Sequence, residues 1–235
     1  MLIIEKSPKS IPAEAFRTLR TNIQYASFDK EVKTLLVTSA GPGEGKSTTA
    51  ANLALSIAET GKTVLLVDCD LRRPSLHKKF NISNEAGITN FLLGEVTFEQ
   101  ATKVYKNKLF IMTAGNIPPN PAEMLSSNKL KNFLQKISQQ FDTVIIDSPP
   151  VMAVTDAQIL STITDGVILV VNSGETEKSM ALKAKESLMK VNANILGVVL
   201  NRFKSENGKN YGYGYYYYYH EDEKGKVKKK KKKKE

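Results

Sequence analysis

The chain has 235 residues, 41% hydrophobic and 25% charged, a content that supports one large α/β domain with a buried core but is short for two. It has no apolar run near the ~20 residues that span a bilayer and no signal peptide in MLIIEKSPKS, and the single Cys69 excludes an intrachain disulfide, so a cytoplasmic setting is expected. Of the net charge of +10, +7 falls from Asn201 onward, where twelve Lys/Arg face five Asp/Glu; the body is nearly balanced, and a groove for specific nucleic acid within it is not indicated.

In chain order, residues 10–27 read as a leading helix, with Ser10 as its cap and Pro12 in the first turn. A strand over Thr34–Ser39 runs into a Gly-rich turn and a helix over Ser47–Thr60. Strands are expected at Thr63–Asp68, Leu109–Thr113, Thr143–Asp147, Gly166–Val171 and Ile195–Asn201. Their β-branched, apolar runs suit strands buried on both faces. Helices over Pro121–Gln140 and Thr176–Val191 complete an alternation that predicts a mostly parallel sheet with helices on both faces. Ligands in such sheets bind at the carboxyl ends of the strands. From Lys204 onward Gly alternates with Tyr, five tyrosines follow, and seven lysines come after. No core can be built from that composition, so a disordered tail over 204–235 is expected after a domain over 1–203.

Ala40-Gly-Pro-Gly-Glu-Gly-Lys-Ser-Thr48 follows a strand and opens a helix, the context in which a Gly-rich loop cradles phosphates. Gly41, Pro42, Gly43, Glu44 and Gly45 supply the loop, whose N–H groups converge on phosphate oxygens beside the positive end of the helix. Lys46 would reach the β- and γ-phosphates, Ser47 would ligate Mg²⁺, and Thr48 would contact the α-phosphate. Asp68 and Asp70 end the next strand at alternate positions, on one face if the strand runs on through them. Both then address Mg²⁺ or a substrate hydroxyl. Asp147, before Ser148-Pro-Pro150, ends another strand as a Walker-B-type carboxylate. Singly each Asp reads as a cap or turn residue; three acidic strand ends together with the loop point to metal-dependent phosphate chemistry. The amide of Asn201, next to Arg202, suits the edge of adenine, and a turn-forming Asn is the other reading. No Asn-Lys-x-Asp element for guanine is present, so ATP is expected rather than GTP.

These residues resemble the bacterial tyrosine kinases of capsule and exopolysaccharide synthesis, in particular the separate cytoplasmic kinase of Gram-positive bacteria within the MinD/ParA-like superfamily. Pro42–Thr48 resembles their Walker A motif, Asp68-Cys-Asp-Leu-Arg72 their second acidic motif and Asp147-Ser-Pro-Pro150 their Walker B. Ile117–Leu125 and the terminal tyrosines are similar in kind. Glu14-x-x-Arg17-x-x-Arg20 matches the motif those kinases use to form rings; the bare reading of the triplet is a solvated charged helix face. The resemblance implies autophosphorylation of the tail, with Asp68 assisting the tyrosine hydroxyl and Asp70 near the metal. It further implies a membrane-embedded polysaccharide co-polymerase adaptor as activator, a cognate tyrosine phosphatase and a position at the inner face of the membrane through the adaptor.

The acceptors are Tyr211, Tyr213, Tyr215, Tyr216, Tyr217, Tyr218 and Tyr219, seven of the nine tyrosines. An extended tail carries them roughly 30–60 Å past Asn201, within reach of their own or a neighbour's site. The lysine run 228–234 departs from the family pattern and reads as a solvated segment, a contact to an anionic membrane or a nonspecific nucleic-acid contact. The rival reading is a partition-type or cell-division-type ATPase switch; those proteins carry a lysine early in the loop, where this chain has Gly41, and lack the tyrosines.

Overall fold

The computed structural model describes residues 2–26, 31–106 and 108–203. The tyrosine cluster 211–219, the lysine run 228–234 and Ser27 lie outside the described residues. Met1–Arg202 forms one compact unit.

The unit opens with α1 (Ile3–Lys6) and α2 (Ile11–Ala26). Ser10 caps α2 as expected, its hydroxyl accepting the Ala13 N–H at 3.4 Å. Then come β1 (Thr34–Ser39), α3 (Lys46–Ala58) and β2 (Val64–Asp68), followed by the short helices α4 (Leu76–Phe80), α5 (Ile88–Leu93) and α6 (Phe98–Ala101). A hairpin of β3 (Thr102–Tyr105) and β4 (Leu109–Met112) leads to α7 (Pro121–Leu125) and α8 (Asn128–Ile137). The chain finishes with β5 (Thr143–Asp147), α9 (Asp156–Ser161), β6 (Gly166–Asn172), α10 (Lys178–Met189) and β7 (Ile195–Asn201).

The seven strands form one sheet in the order β3-β4-β2-β5-β1-β6-β7. Every pair is parallel except β3 with β4, so the sheet is mostly parallel, as the alternation predicts. Side chains of a strand alternate between faces, and they feed two cores. Leu36, Val144, Ile146 and Leu169 pack under α8, α9 and α10, whereas Leu35, Val37, Ile145 and Ile168 pack under α2 and α3.

Three expectations are corrected. The helix predicted over Pro121–Gln140 is two helices, because the Ser127 hydroxyl caps a new one by accepting the Leu130 N–H at 3.3 Å. A serine pair offers the backbone an alternative to continuing the turn. The last strand is not buried on both faces: β7 is the sheet edge, and Val198 and Leu200 are 59% and 52% exposed. Finally, the strand carrying Asp68 stops there, so strand alternation does not put Asp70 beside it.

Register brings the motif ends together. β5 lies between β2 and β1, with Asp147 opposite Asp68 on one side and Val37 on the other. The loop after β1, Asp68, Asp147 and Asn201 all stand at carboxyl ends of strands.

Candidate nucleotide-binding site

The loop after β1 needs its glycines for two different reasons. Gly43 and Gly45 have φ of +79° and +96°, in the left-handed region that favours glycine. A Cβ on Gly43 would meet nothing within 4 Å, whereas a Cβ on Gly45 would sit 2.1 Å from Asn201 Nδ2. Gly45 is also the N-cap of α3 and offers no side-chain acceptor to the first N–H groups of that helix. A 13-residue helix that begins with free donors is a ready anion site. Glu44 turns inward: its carboxylate accepts the Ala40 N–H at 2.9 Å and the Thr176 hydroxyl at 2.6 Å.

Lys46, the first residue of α3, sends its ammonium into the strand ends. Nζ donates to Asp70 Oδ2 at 2.7 Å and Ser47 Oγ at 3.2 Å, and it lies 3.5 Å from Asp147 Oδ1. All four groups are buried. Asp68 is held differently, by the turn that follows β2. Its Oδ1 accepts the Asp70 N–H at 3.2 Å, and its Oδ2 accepts the N–H groups of Ser75 and Leu76, both at 3.0 Å. The turn, rather than strand pleating, therefore sets where Asp70 stands.

The electrostatics follow from burial. Burial and the charge of Asp147 push the Asp68 carboxyl up to about 7, against the N–H groups of Leu76 and Ser75 and the Lys46 ammonium. Burial also raises Asp147, opposed chiefly by Lys46. Burial alone would lower Lys46, but Asp147 and Asp70 hold it above its usual value. One oxygen of Asp147, Oδ2, is buried with no hydrogen-bond partner.

An open cradle with left-handed glycines, a helix start without a cap, and an orphaned buried carboxylate oxygen fit a Mg²⁺-bound polyphosphate. Among the described residues no cluster of three His, Cys, Asp or Glu side chains could cage a metal. Mg²⁺ bound between phosphates and one or two protein oxygens needs no such cage.

Two contacts were not legible in the motifs. Lys79 on α4 donates to Thr48 Oγ1 at 2.9 Å, and burial lowers its pKa against the pull of Asp147. Helical spacing held the signal: Lys79 lies three residues after the buried Leu76, near the face that α4 packs against α3. Arg72 grips the buried Asp156 with two bonds, Nε to Oδ2 at 2.9 Å and Nη2 to Oδ1 at 3.1 Å. That pair joins the second acidic motif to α9 across 84 residues of sequence, and nothing local announces it.

Asn201 and Arg202 reach the loop from the end of β7. Asn201 Nδ2 donates to the Glu44 carbonyl at 2.8 Å, its Oδ1 accepts the Arg202 N–H at 2.9 Å, and Arg202 Nη2 donates to the Gly43 carbonyl at 3.2 Å. Glu14, Arg17 and Arg20 stand apart from the site, on α2 against the far end of α3. Arg17 bonds Glu14 and, at 3.1 and 3.3 Å, Glu59, while Arg20 bonds the Ser56 carbonyl. Glu59 is 13 residues beyond Lys46, about 20 Å along a helix axis.

A P-loop NTPase family described as "ParA: NUBPL iron-transfer P-loop NTPase" matches residues 31–232. The tyrosine-protein kinase YwqD of Bacillus subtilis is 48% identical over 212 residues, covering 90% of each chain. The chain belongs to the bacterial protein-tyrosine kinases of the P-loop NTPase class. Solved structures agree. The chimerical protein CapA2B2 superposes with a TM-score of 0.84 at 41% identity, over 87% of this chain and 90% of that one. The kinase domain of the Escherichia coli tyrosine kinase ETK gives 0.84 at 30%, over 90% and 83%. The septum site-determining protein MinD of Pyrococcus horikoshii, solved with Mg-ADP, shares the fold at a TM-score of 0.63 and 25% identity, over 74% and 72%. This chain is accordingly a protein-tyrosine kinase, and among its described residues no helix is long and apolar enough to cross a membrane.

Proposed function

We propose that this kinase moves the γ-phosphoryl group of ATP, with Mg²⁺, onto the tyrosines 211–219 of its own tail or a neighbouring copy's, and so regulates capsular or exopolysaccharide synthesis. The observation that carries the reading is the Lys46 ammonium at the start of α3, bonded to Asp70 and close to Asp147 in a buried setting. Phosphoryl transfer asks a protein mainly for positioning and for stabilisation of charge, and this arrangement supplies both.

In this reading Gly41, Pro42, Gly43, Glu44 and Gly45 shape the loop, and its N–H groups hold the phosphates. Lys46 serves the β- and γ-phosphates and Thr48 the α-phosphate. Ser47 and Asp70 hold the metal, and Asp147 orders them from the neighbouring strand. Asn201 and Arg202 complete the nucleotide site from β7. Bound Mg²⁺ neutralises part of the phosphate charge. Asp68, with a pKa near 7, suits the acceptance of the tyrosine proton, since a base works best with a pKa near the ambient pH. Its Oδ1 accepts a single N–H among the described residues, which leaves acceptor capacity for a hydroxyl.

The proposal extends to the assembly. The kinase domain spans 1–203, the helix 10–27 mediates a homo-oligomeric ring through Glu14, Arg17 and Arg20, and residues 204–235 present the acceptors. A membrane-embedded co-polymerase adaptor activates the kinase at the inner face of the membrane, and a tyrosine phosphatase resets it. The lysines 228–234 add an anionic-membrane contact of about 1 kcal/mol each close to the surface. Each phosphotyrosine brings about −1.5 to −2 charges, so four cancel the +7 carried from Asn201 onward and release the ring to monomers.

The test is incubation with Mg²⁺ and γ-labelled ATP, with and without the adaptor's cytoplasmic segment, followed by mapping of the label. Label on 211–219 that disappears in Lys46→Met is the expected result. Phosphate release with no labelled protein under either condition would favour the ATPase switch instead.

A further inference from the structure

We propose that Asn201, Arg202, Glu44 and Thr176 form a clamp that sets the shape of the phosphate loop, so that the end of β7 acts on the nucleotide through its phosphates. This rests on the reading of Gly41–Thr48 as the polyphosphate cradle and assigns the residues around it a positioning role.

The clamp acts through the peptide plane. In a trans peptide the carbonyl and the following N–H point to opposite sides. Whatever holds a loop carbonyl therefore aims the next N–H the other way. Asn201 Nδ2 holds the Glu44 carbonyl at 2.8 Å, which aims the N–H of Gly45. Arg202 Nη2 holds the Gly43 carbonyl at 3.2 Å, which aims the N–H of Glu44. These donors belong to the stretch with left-handed glycines, where the backbone is least constrained by its own side chains.

The loop is held on a second side. The buried Glu44 carboxylate takes the Ala40 N–H at 2.9 Å and the Thr176 hydroxyl at 2.6 Å. Thr176 is itself placed by accepting the Asn172 N–H at the end of β6, at 2.9 Å. Ends of β6 and β7 thus grip successive residues of one loop. The 2.1 Å separation between Asn201 Nδ2 and a Cβ at Gly45 shows how closely the amide lies against the backbone. Both ends of the Asn201 amide are engaged by backbone, Nδ2 by the Glu44 carbonyl and Oδ1 by the Arg202 N–H, so the protein itself sets the orientation of the amide against the loop.

The experiment measures binding of ATP, GTP and tripolyphosphate, each with Mg²⁺, to the full chain and to Asn201→Ala and Thr176→Val, with thermal unfolding to verify that each variant is folded. Loss of one hydrogen bond predicts that Asn201→Ala weakens all three ligands by a similar factor of about fivefold to tenfold, leaving the ATP-to-GTP ratio unchanged. Thr176→Val, a change of nearly equal shape, should weaken tripolyphosphate by about twofold to fivefold and decides the matter if Asn201→Ala does not fold. The clamp is overturned if Asn201→Ala alters the ATP-to-GTP ratio and spares tripolyphosphate, if neither variant changes binding, or if the wild type binds ATP but not tripolyphosphate. A wild type that binds none of the three would instead sink the cradle reading and the clamp with it.

Discussion

The phosphate loop and the charged face of α2 both carry charges at motif spacing, yet the fold treats them in opposite ways. At the loop, Lys46, Asp70 and Asp147 are buried together, and none of them can lose its partner cheaply. Removing one member of a buried pair costs several kcal/mol because it strands the other. On α2, the side chains of Arg17 and Glu59 are 24% and 38% exposed. Exposed pairs of this kind contribute about 0–1 kcal/mol, so Arg17 can exchange an intrachain partner for one on a neighbouring copy at little cost. Buried charge records chemistry within one chain, and exposed charge leaves room for assembly.

The largest effect expected from breaking the first region is Lys46→Met. In the proposed reading it removes the cation that would face developing phosphoryl charge, and tyrosine phosphorylation should fall by at least about a hundredfold. Near-normal turnover would place the chemistry elsewhere. Next comes Arg72→Ala, which leaves the buried Asp156 without its two-bond partner. A loss of about 1.5–3 kcal/mol in denaturant unfolding is expected, and an unchanged midpoint would make that pair ornamental.

Acidity sharpens the same contrast. Asp68 titrates near 7 in the folded chain and near 4 when unfolded, so the folded state holds an extra proton between those values. Its contribution to stability is greatest below about pH 4 and is lost as the pH rises towards 7. Mg²⁺-nucleotide favours the ionised carboxylates, so its stabilising increment should grow from about pH 6 to 8. The growth should be smaller in Asp68→Asn, and an equal pH response in the two proteins would contradict the assignment.

The smallest effect on the single chain is expected from Arg17→Ala with Arg20→Ala. Unfolding should shift by about 1 kcal/mol or less, while light scattering should show loss of the ring. A ring that persists would end the assembly proposal.

How much of this was legible in the sequence depended on where the information was stored. β1, β2, β5 and β6 are apolar runs buried along nearly their whole length, so composition alone gave them away. β3, Thr-Lys-Val-Tyr, is a short edge strand with no apolar run to mark it in the sequence. The loop motif was readable because its residues are contiguous. Lys79 and the pair Arg72–Asp156 were not, because their partners are set by how α4 and α9 pack. The amide of Asn201 stands out in the sequence, but only the folded chain reveals that its donor meets the Glu44 carbonyl.

The most direct test of the whole account is a crystal structure with Mg²⁺ and a non-hydrolysable ATP analogue. The account predicts that the Lys46 ammonium leaves Asp70 for the β- and γ-phosphates, that Ser47 and Asp70 face the metal, and that Asn201 stays on the Glu44 carbonyl. A structure in which Lys46 remains on Asp70 with the phosphates elsewhere, or in which Asn201 has turned to the adenine, would contradict it.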